Sequence, residues 1–374
     1  MENEIMAKPK IFLLTHEFPP KRGGAGVYCE EMAYAASQLG YETEVWAPSY
    51  AKKWPEGDLF PLQLKGSQDW LCSFKLLREA QKRASEFAGS IVHLAEPGSL
   101  RAFVRFGANV FKSARLVVTL HGSEIPRFNR FFPERLLFRK LLRQADRIHV
   151  LSRHNQDALL WKFPELAAKI LLEPGAPNRH VLPLPADASG AESGDKLRIV
   201  TVGRLHPRKG QARMLDALAD LPSELKESLE YLLVGPETHS RYVKKLREKS
   251  LGIGLPVKFL GDLPDAKLKE IYSTADIFAL TSTRQPGSVE GFGFVYLEAA
   301  SYGLPAVAHR VGGVEDAVKH EETGLLVEEN KPADLTRAIE RLLRDSELRV
   351  RLGKTARTHA EKFSWKQPAS ALYG

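Results

Sequence analysis

The chain has 374 residues, 43% of them hydrophobic, with 54 Lys and Arg against 46 Asp and Glu for a formal net charge of +8. That length exceeds what one hydrophobic core usually supports, so two domains are expected, and the apolar content excludes a largely disordered chain. The positive excess favours an anionic partner, whether nucleic acid, a lipid surface or a phosphorylated small molecule.

The N-terminal stretch "ENEIMAKPKIFLLTHEF" has the apolar core "IFLL", too short for a signal-peptide core, and no apolar stretch of about 18 residues occurs anywhere, so no membrane span is expected. The first strand is predicted at 10–16 ("KIFLLTH"). "PPKRGGAGVY" (19–28) follows, where Gly23, Gly24 and Gly26 allow a sharp turn into a helix from about Ala25. This is a poor dinucleotide site: the third position of the glycine pattern is Cys29, and the next strand (42–48) ends in "WAPSY" with no acid to hold a ribose. The cysteines, Cys29 and Cys72, have no metal-site spacing, which excludes a zinc ribbon or disulfide scaffold and fits a reducing cytosol.

Further strands are predicted at 90–96, 115–121, 147–152 and 169–175, alternating with helical patterns. His121 stands at the end of one of them, beside a glycine, a position as suited to structure as to function. The segment 127–147 interleaves aromatics with cations. It reads as a domain helix burying Leu137 and Leu141 with its arginines outward, or as a face resting on an anionic membrane. At 183–195 the chain turns rich in Pro, Ala, Ser and Gly, as expected of a linker between an N-terminal domain (1–182) and a C-terminal domain (196–355).

The second half restarts the pattern, with strands predicted at 197–204, 231–235, 257–261, 276–280, 305–309 and 324–327, a helix at 332–345, and a final segment, 356–374, expected to pack back towards the N-terminal domain. The fold class is therefore α/β, with two Rossmann-like doubly wound domains facing a cleft. "RLGKTART" (351–358) imitates the end of a phosphate-binding loop, but position 348 is Leu where glycine is required, and no strand precedes it.

Two motifs follow strands of the second domain. "VGRLHPRKG" (202–210) brings Arg204 and Lys209 to one loop, a planar fork of donors and a compact charge suited to a diphosphate. "TRQPGSVEGFG" (283–293) leads into a helix near Gly293, whose first amides attract an anion, yet Glu290 and Glu298 stand beside it. A sugar nucleotide reconciles them, with phosphates on the cations and amides and hydroxyls on the carboxylates. Hydroxyl-to-carboxylate bonds contribute about 1.5–3 kcal/mol, more than the roughly 0.3–1 kcal/mol of an exposed charge at a helix end.

These stretches, with "GGAG", "HGSE" (121–124), "VKFLGDLPDAKLKEIYSTADIF" (257–278), "VEGFGFVYLEAASYGLPAVA" (289–308), "VGGVEDAV" (311–318) and "FSW" (363–365), resemble the retaining glycosyltransferases of family 4 over essentially the whole chain. The resemblance implies the GT-B fold and transfer of a hexose from a UDP-, GDP- or ADP-sugar to a hydroxyl acceptor. It implies that Arg204 and Lys209 bind the diphosphate, that Glu298 binds the ribose, and that Glu290 faces the transferred sugar. By the same resemblance His121 lies near the reacting carbon, Gly291, Phe292 and Gly293 line the donor site, and Phe259 and Leu260 edge the base, mostly through backbone. Gly24, with Lys21, is expected on the acceptor side.

No metal is expected, because the chain lacks an Asp-x-Asp pair and the cations stand in for one. Two departures are visible: Thr281-Ser282 replaces the usual Pro-Ser, and the loop "RQPGSV" is long, as in mannosyltransferases acting on lipid-linked inositol. A lipid-linked acceptor and a place at the inner face of the cytoplasmic membrane follow as expectations. A sugar-nucleotide epimerase or phosphorylase of the same fold is the enzymatic alternative. A basic nucleic-acid-binding protein is disfavoured, since the charge is dispersed and no recognition motif occurs.

Overall fold

Short runs of branched and aromatic residues form strands whose side chains are buried on both faces, the mark of a parallel sheet covered by helices. In the computed structural model, residues 8–20, 23–51, 53–64, 68–183 and 196–374 are described. The expected linker at 183–195, apart from residue 183, lies outside them, as does Lys21.

The chain divides into two compact units, Met1–Gly175 with Ser364–Gly374, and Ala176–Phe363. The first holds seven strands: β1 (Ile11–Leu14), β2 (Thr43–Pro48), β3 (Asp58–Leu62), β4 (Ile91–Leu94), β5 (Arg115–Leu120), β6 (Arg147–Val150) and β7 (Ile170–Leu172). They are parallel in the order β3-β2-β1-β4-β5-β6-β7, so the strand order reverses between β1 and β4. The second holds β8 (Leu197–Val202), β9 (Leu229–Val234), β10 (Val257–Gly261), β11 (Ile277–Leu280), β12 (Ala306–His309) and β13 (Gly324–Val327), parallel in the order β10-β9-β8-β11-β12-β13. Its reversal lies between β8 and β11, and open α/β sheets bind ligands beyond the strand ends at such a point.

Each expected strand has its counterpart, and β3 is an addition. It pairs only with β2 and carries Pro61, which an edge strand tolerates because its outward N–H groups need no partner.

The units divide at Gly175 and Phe363 rather than at the expected 182 and 355. The turn Arg179–Val181 is held within the second unit, where the Val181 carbonyl accepts from the Tyr302 hydroxyl at 2.8 Å. Helix Ser346–Ala360, which carries Gly353 of the phosphate-loop lookalike, packs on helix Phe294–Ser301 of the same unit. Only the final helix, Lys366–Tyr373, belongs to the first unit. There Arg115 donates to the carbonyls of Leu372 (3.1 Å) and Gly374 (3.0 Å). Leu372 and Tyr373 are buried, each contributing on the order of 2 kcal/mol by leaving water.

A polar chain runs through the first core. The Tyr373 hydroxyl meets His93 Nδ1 at 2.7 Å, His93 Nε2 meets the Thr119 hydroxyl at 2.7 Å, and Thr119 and His149 both meet the Tyr28 hydroxyl at 2.8 Å. His149 Nε2 donates to the Glu173 carbonyl at 2.8 Å. Burial lowers the pKa of His149 to about 4, with the His121 ring adding to the shift and the bond to Glu173 opposing it.

Helix Phe132–Gln144 corrects one expectation. It buries Phe138, Leu141 and Leu142, so Leu141 faces the core as expected while Leu137 points outward, 44% exposed. The bulky Phe138 at three residues before Leu141 sets the phase of the buried stripe.

Candidate active site

The second unit builds its site at the sheet reversal. Beyond β8, the chain passes Gly203 and the exposed Arg204 into a tight turn, Pro207–Lys209. His206 Nδ1 accepts from the Arg208 N–H at 3.1 Å, and the Lys209 N–H donates to the His206 carbonyl at 2.8 Å. Gly210 has φ 72°, and a Cβ there would collide with the Thr281 carbonyl, so this close approach of the two loops requires glycine. The loops are stitched further by Thr281, whose hydroxyl donates to the Gly210 carbonyl at 2.9 Å, and by the Thr283 N–H, which donates to the Arg208 carbonyl at 2.7 Å.

The turn aims two cations at one carboxylate. Glu290 Oε2 accepts from Lys209 Nζ, Arg208 Nη1 and Ser282 Oγ, each at 2.8 Å. Oε1 makes no hydrogen bond to any described residue, and is left able to accept a ligand hydroxyl. Burial alone would raise the Glu290 pKa, but Lys209 and Arg208 outweigh it and hold the carboxyl far below the usual carboxylate range. Burial also lowers the Lys209 pKa. Glu290 opposes that shift, while Arg208 and Arg204 add to it, a crowding of positive charge that a bound anion would relieve.

Arg208 and Ser282 are members of this cluster that sequence reasoning did not single out. Ser282 sat in the noted departure "TS", and Arg208 precedes Lys209. Only the tight turn, which places two consecutive side chains on the same carboxylate, reveals the pair. Arg204 differs from expectation: its exposed guanidinium does not join the Glu290 cluster, though its charge is felt at Lys209 and His206. Its carbonyl accepts from the Gln211 amide at 2.9 Å, which fixes the backbone while the side chain extends into solvent.

The helix Phe294–Ser301 begins, as the glycines predict, at Gly293, where φ is 92° and a Cβ would lie 2.6 Å from the Tyr296 ring. Glu298 on this helix is buried, and its Oε2 accepts from the Tyr272 hydroxyl at 3.2 Å, so the two glutamates have different partners. Gly291 lies in the same loop. Phe292 is 2% exposed, packed against Phe294 and Phe363 with centroids 5.7 and 6.2 Å away, so its side chain is core and only its backbone can meet a ligand.

At the sheet edge, β10 shifts register between Phe259 and Gly261, leaving Leu260 unmatched with β9. Phe259 lies beneath the Arg247 guanidinium, 4.4 Å from its ring centroid. β10 is the edge strand of this sheet, so its outer backbone groups are not paired within the sheet.

In the first unit, Gly24 opens the helix Gly24–Gln38, and the start of that helix is occupied from within the chain. The Glu17 carboxylate accepts from the amides of Gly23 and Gly26, satisfying donors that a helix start leaves unpaired. His121 follows β5 as expected. Its Nε2 donates to the Ala95 carbonyl at 2.9 Å, and its ring meets that of Tyr28 edge-on at 4.9 Å. Beside it the buried Glu124 accepts from the amides of Gly122 (2.8 Å) and His121 (3.3 Å), and burial raises its pKa. Among the described residues no group of three or more His, Cys, Asp or Glu is arranged to hold a metal ion.

The comparisons with known proteins agree with this architecture. Residues 22–170 match the family model described as Glycosyltransferase Family 4, and residues 186–359 that described as Glycosyl transferases group 1. A GDP-mannose-dependent alpha-(1-6)-phosphatidylinositol monomannoside mannosyltransferase of Mycolicibacterium smegmatis is 29% identical, covering 97% of both chains. A D-inositol 3-phosphate glycosyltransferase of Salinispora arenicola is 26% identical over 94% of this chain and 86% of its own. Among solved structures, the sucrose-phosphate synthase of Thermosynechococcus elongatus superposes with a TM-score of 0.80 at 22% identity, covering 97% of each chain. Anabaena HepE in complex with UDP-glucose gives 0.73 at 22%, covering 97% of this chain and 98% of its own. With one family model matching each sheet, the chain belongs to the glycosyltransferases of the GT-B fold.

Proposed function

We propose that this glycosyltransferase moves a hexose from a nucleoside diphosphate sugar to a hydroxyl acceptor with retention of anomeric configuration. The observation that carries the reading is Glu290: one oxygen is anchored by Lys209, Arg208 and Ser282, and the other makes no bond to any described residue. A carboxylate held ionised beside crowded cations suits a ligand that has hydroxyls and phosphates within a few ångströms of one another.

In this reading Arg204 and Lys209 take the diphosphate, with the backbone of Gly291 to Gly293 alongside. As the glycosidic C–O bond breaks, negative charge grows on the leaving phosphate, and cations already in place stabilise it without reorganisation. Those cations do the work assigned elsewhere to a bound metal. Glu290 Oε1 accepts a sugar hydroxyl, Glu298 accepts from the ribose, and the outer edge of β10 near Leu260 meets the base.

GDP-mannose is the first donor to test, because the relative that spans 97% of this chain is named for its dependence on it. That name also supports a lipid-linked acceptor in glycoconjugate synthesis, and with it action at the inner face of the cytoplasmic membrane. Among the described residues no helix is long and apolar enough to cross a membrane, so such an enzyme would work from the surface.

A thermal-shift series with UDP, GDP and ADP, then their sugars, tests the donor site. A ligand at a hundred times its Kd stabilises the native state by about 2.7 kcal/mol, so one nucleotide is expected to raise the midpoint clearly. No shift with any of the three would count against the reading.

A further inference from the structure

Neighbouring side chains of a strand or helix point apart, yet Arg208 and Lys209 both end on the same oxygen of Glu290, Oε2, at 2.8 Å. The turn Pro207–Lys209 makes this convergence possible, and one side chain completes the turn. His206 stands in extended backbone immediately before it, and its Nδ1 accepts from the Arg208 N–H at 3.1 Å. Pro207 has no N–H, and the Lys209 N–H goes to the His206 carbonyl, so the Arg208 amide is the donor that the turn would otherwise leave unpaired.

The ring is itself held from the neighbouring loop. His239, beyond β9, meets it edge-on with centroids 4.5 Å apart, and the Leu205 N–H donates to the Pro236 carbonyl at 3.0 Å, tying the two loops together. Accepting at Nδ1 keeps a lone pair there, so the imidazole is neutral with its proton on Nε2. Its surroundings favour that state: burial lowers the His206 pKa, and His239, Arg208, Arg204 and Lys209 lower it further. The histidine therefore adds no charge to the cations around it. It supplies a fixed acceptor at the head of their turn.

We propose that His206 is a positioning residue for glycosyl transfer, capping the turn so that Arg208 and Lys209 converge on Glu290 and present their charge to the donor diphosphate. The inference rests on the donor-site reading for what the cations bind, and on the turn itself for how they are aimed. It also singles out a replacement. The side-chain oxygen of asparagine lies where Nδ1 does, and asparagine is among the best capping residues, whereas glutamine carries its oxygen farther out, near the place of Nε2.

Titration calorimetry of the full chain with inorganic pyrophosphate, and with GDP, UDP and ADP, tests the proposal. His206→Ala is expected to bind pyrophosphate and the preferred nucleotide about fivefold more weakly than the parent, because without its cap the competent turn becomes a fraction of the population. His206→Asn is expected to restore the parental affinity, and His206→Gln to behave like the alanine variant. Affinity unchanged by alanine would overturn the proposal. So would rescue by glutamine and not by asparagine, since the ring would then meet the ligand directly through Nε2. A second measurement needs no ligand. If His206 acts through the cations, the unfolding cost of His206→Ala in denaturant falls to less than about half in a Glu290→Gln chain, whereas a cap without that link costs the same in both. Equal costs would overturn the proposal. Coupled costs in a chain that binds neither pyrophosphate nor any of the three nucleotides would leave the positioning role standing and remove the donor-site reading.

Discussion

Each unit opens a helix with glycines beyond its sheet, and each sets a carboxylate beside that opening, but the two carboxylates have opposite fates. In the first unit Glu17 turns onto the amides of Gly23 and Gly26 and completes the helix start from within the chain. In the second, Glu290 turns away onto Lys209, Arg208 and Ser282. An acid next to a glycine-opened helix can therefore cap that helix or be drawn onto cations. At Glu17 the helix dipole and unpaired amides hold the acid, and at Glu290 the attraction of two partly buried cations outweighs the dipole.

Removing the acid from the second unit should have the largest effect. Glu290→Ala leaves the partly buried Lys209 and Arg208 without their common partner, and a loss of roughly 3 kcal/mol in unfolding free energy is expected by denaturant titration. An unchanged midpoint would mean that the cations relax into water and that the cluster is not preorganised.

The cations come next. Lys209→Ala, and Arg204→Ala separately, should each lower turnover about a hundredfold or more, near 3 kcal/mol in the transition state, with unaltered circular dichroism. The two variants also divide the account, since Lys209 touches Glu290 and Arg204 does not. A large loss for Lys209 alone would place the diphosphate inside the cluster, away from the exposed arginine.

The first unit carries its own pH dependence. His149 is neutral when folded, with its pKa lowered to about 4, whereas an unfolded histidine titrates near 6.5. Between these values the unfolded chain binds more protons, so stability falls as pH falls. From pH 7 to pH 5 this group alone should remove about 2 kcal/mol. His149→Gln is expected to flatten that slope by the same amount in denaturation at the two pH values. The Glu290 pKa is also depressed, but its contribution is lost only below the ordinary carboxylate range, so this window separates the two groups.

The smallest effect belongs to Glu17. As a cap on Gly23 and Gly26, its replacement by alanine should cost about 1 kcal/mol of stability. A gain in anion affinity at that helix start, read by titration with inorganic phosphate, would show that Glu17 occupies a site otherwise suited to a ligand.

The strands were readable because buried parallel strands are short apolar runs bounded by turns, as in "IFLL" and "AVAH". β3 was not, since "DLFPL" contains a proline and is partly exposed, which weakens the apolar signal of a strand. At the site, Glu290 and Lys209 could be named from the charges set after strands. Arg208 could not be ranked above Arg204, because their order is decided by the turn at Pro207–Lys209. The capture of the helix start by Glu17 and the outward phase of Leu137 were equally hidden, one resting on a fold-back and the other on how bulky neighbours compete for the core.

Titration calorimetry with a nucleoside diphosphate, the matching nucleoside and the Lys209→Ala variant tests the central claim most directly. The account predicts that the diphosphate binds the parent chain, that the nucleoside binds at least about tenfold more weakly, and that Lys209→Ala abolishes this difference. Equal affinity of parent and variant for the diphosphate would contradict it.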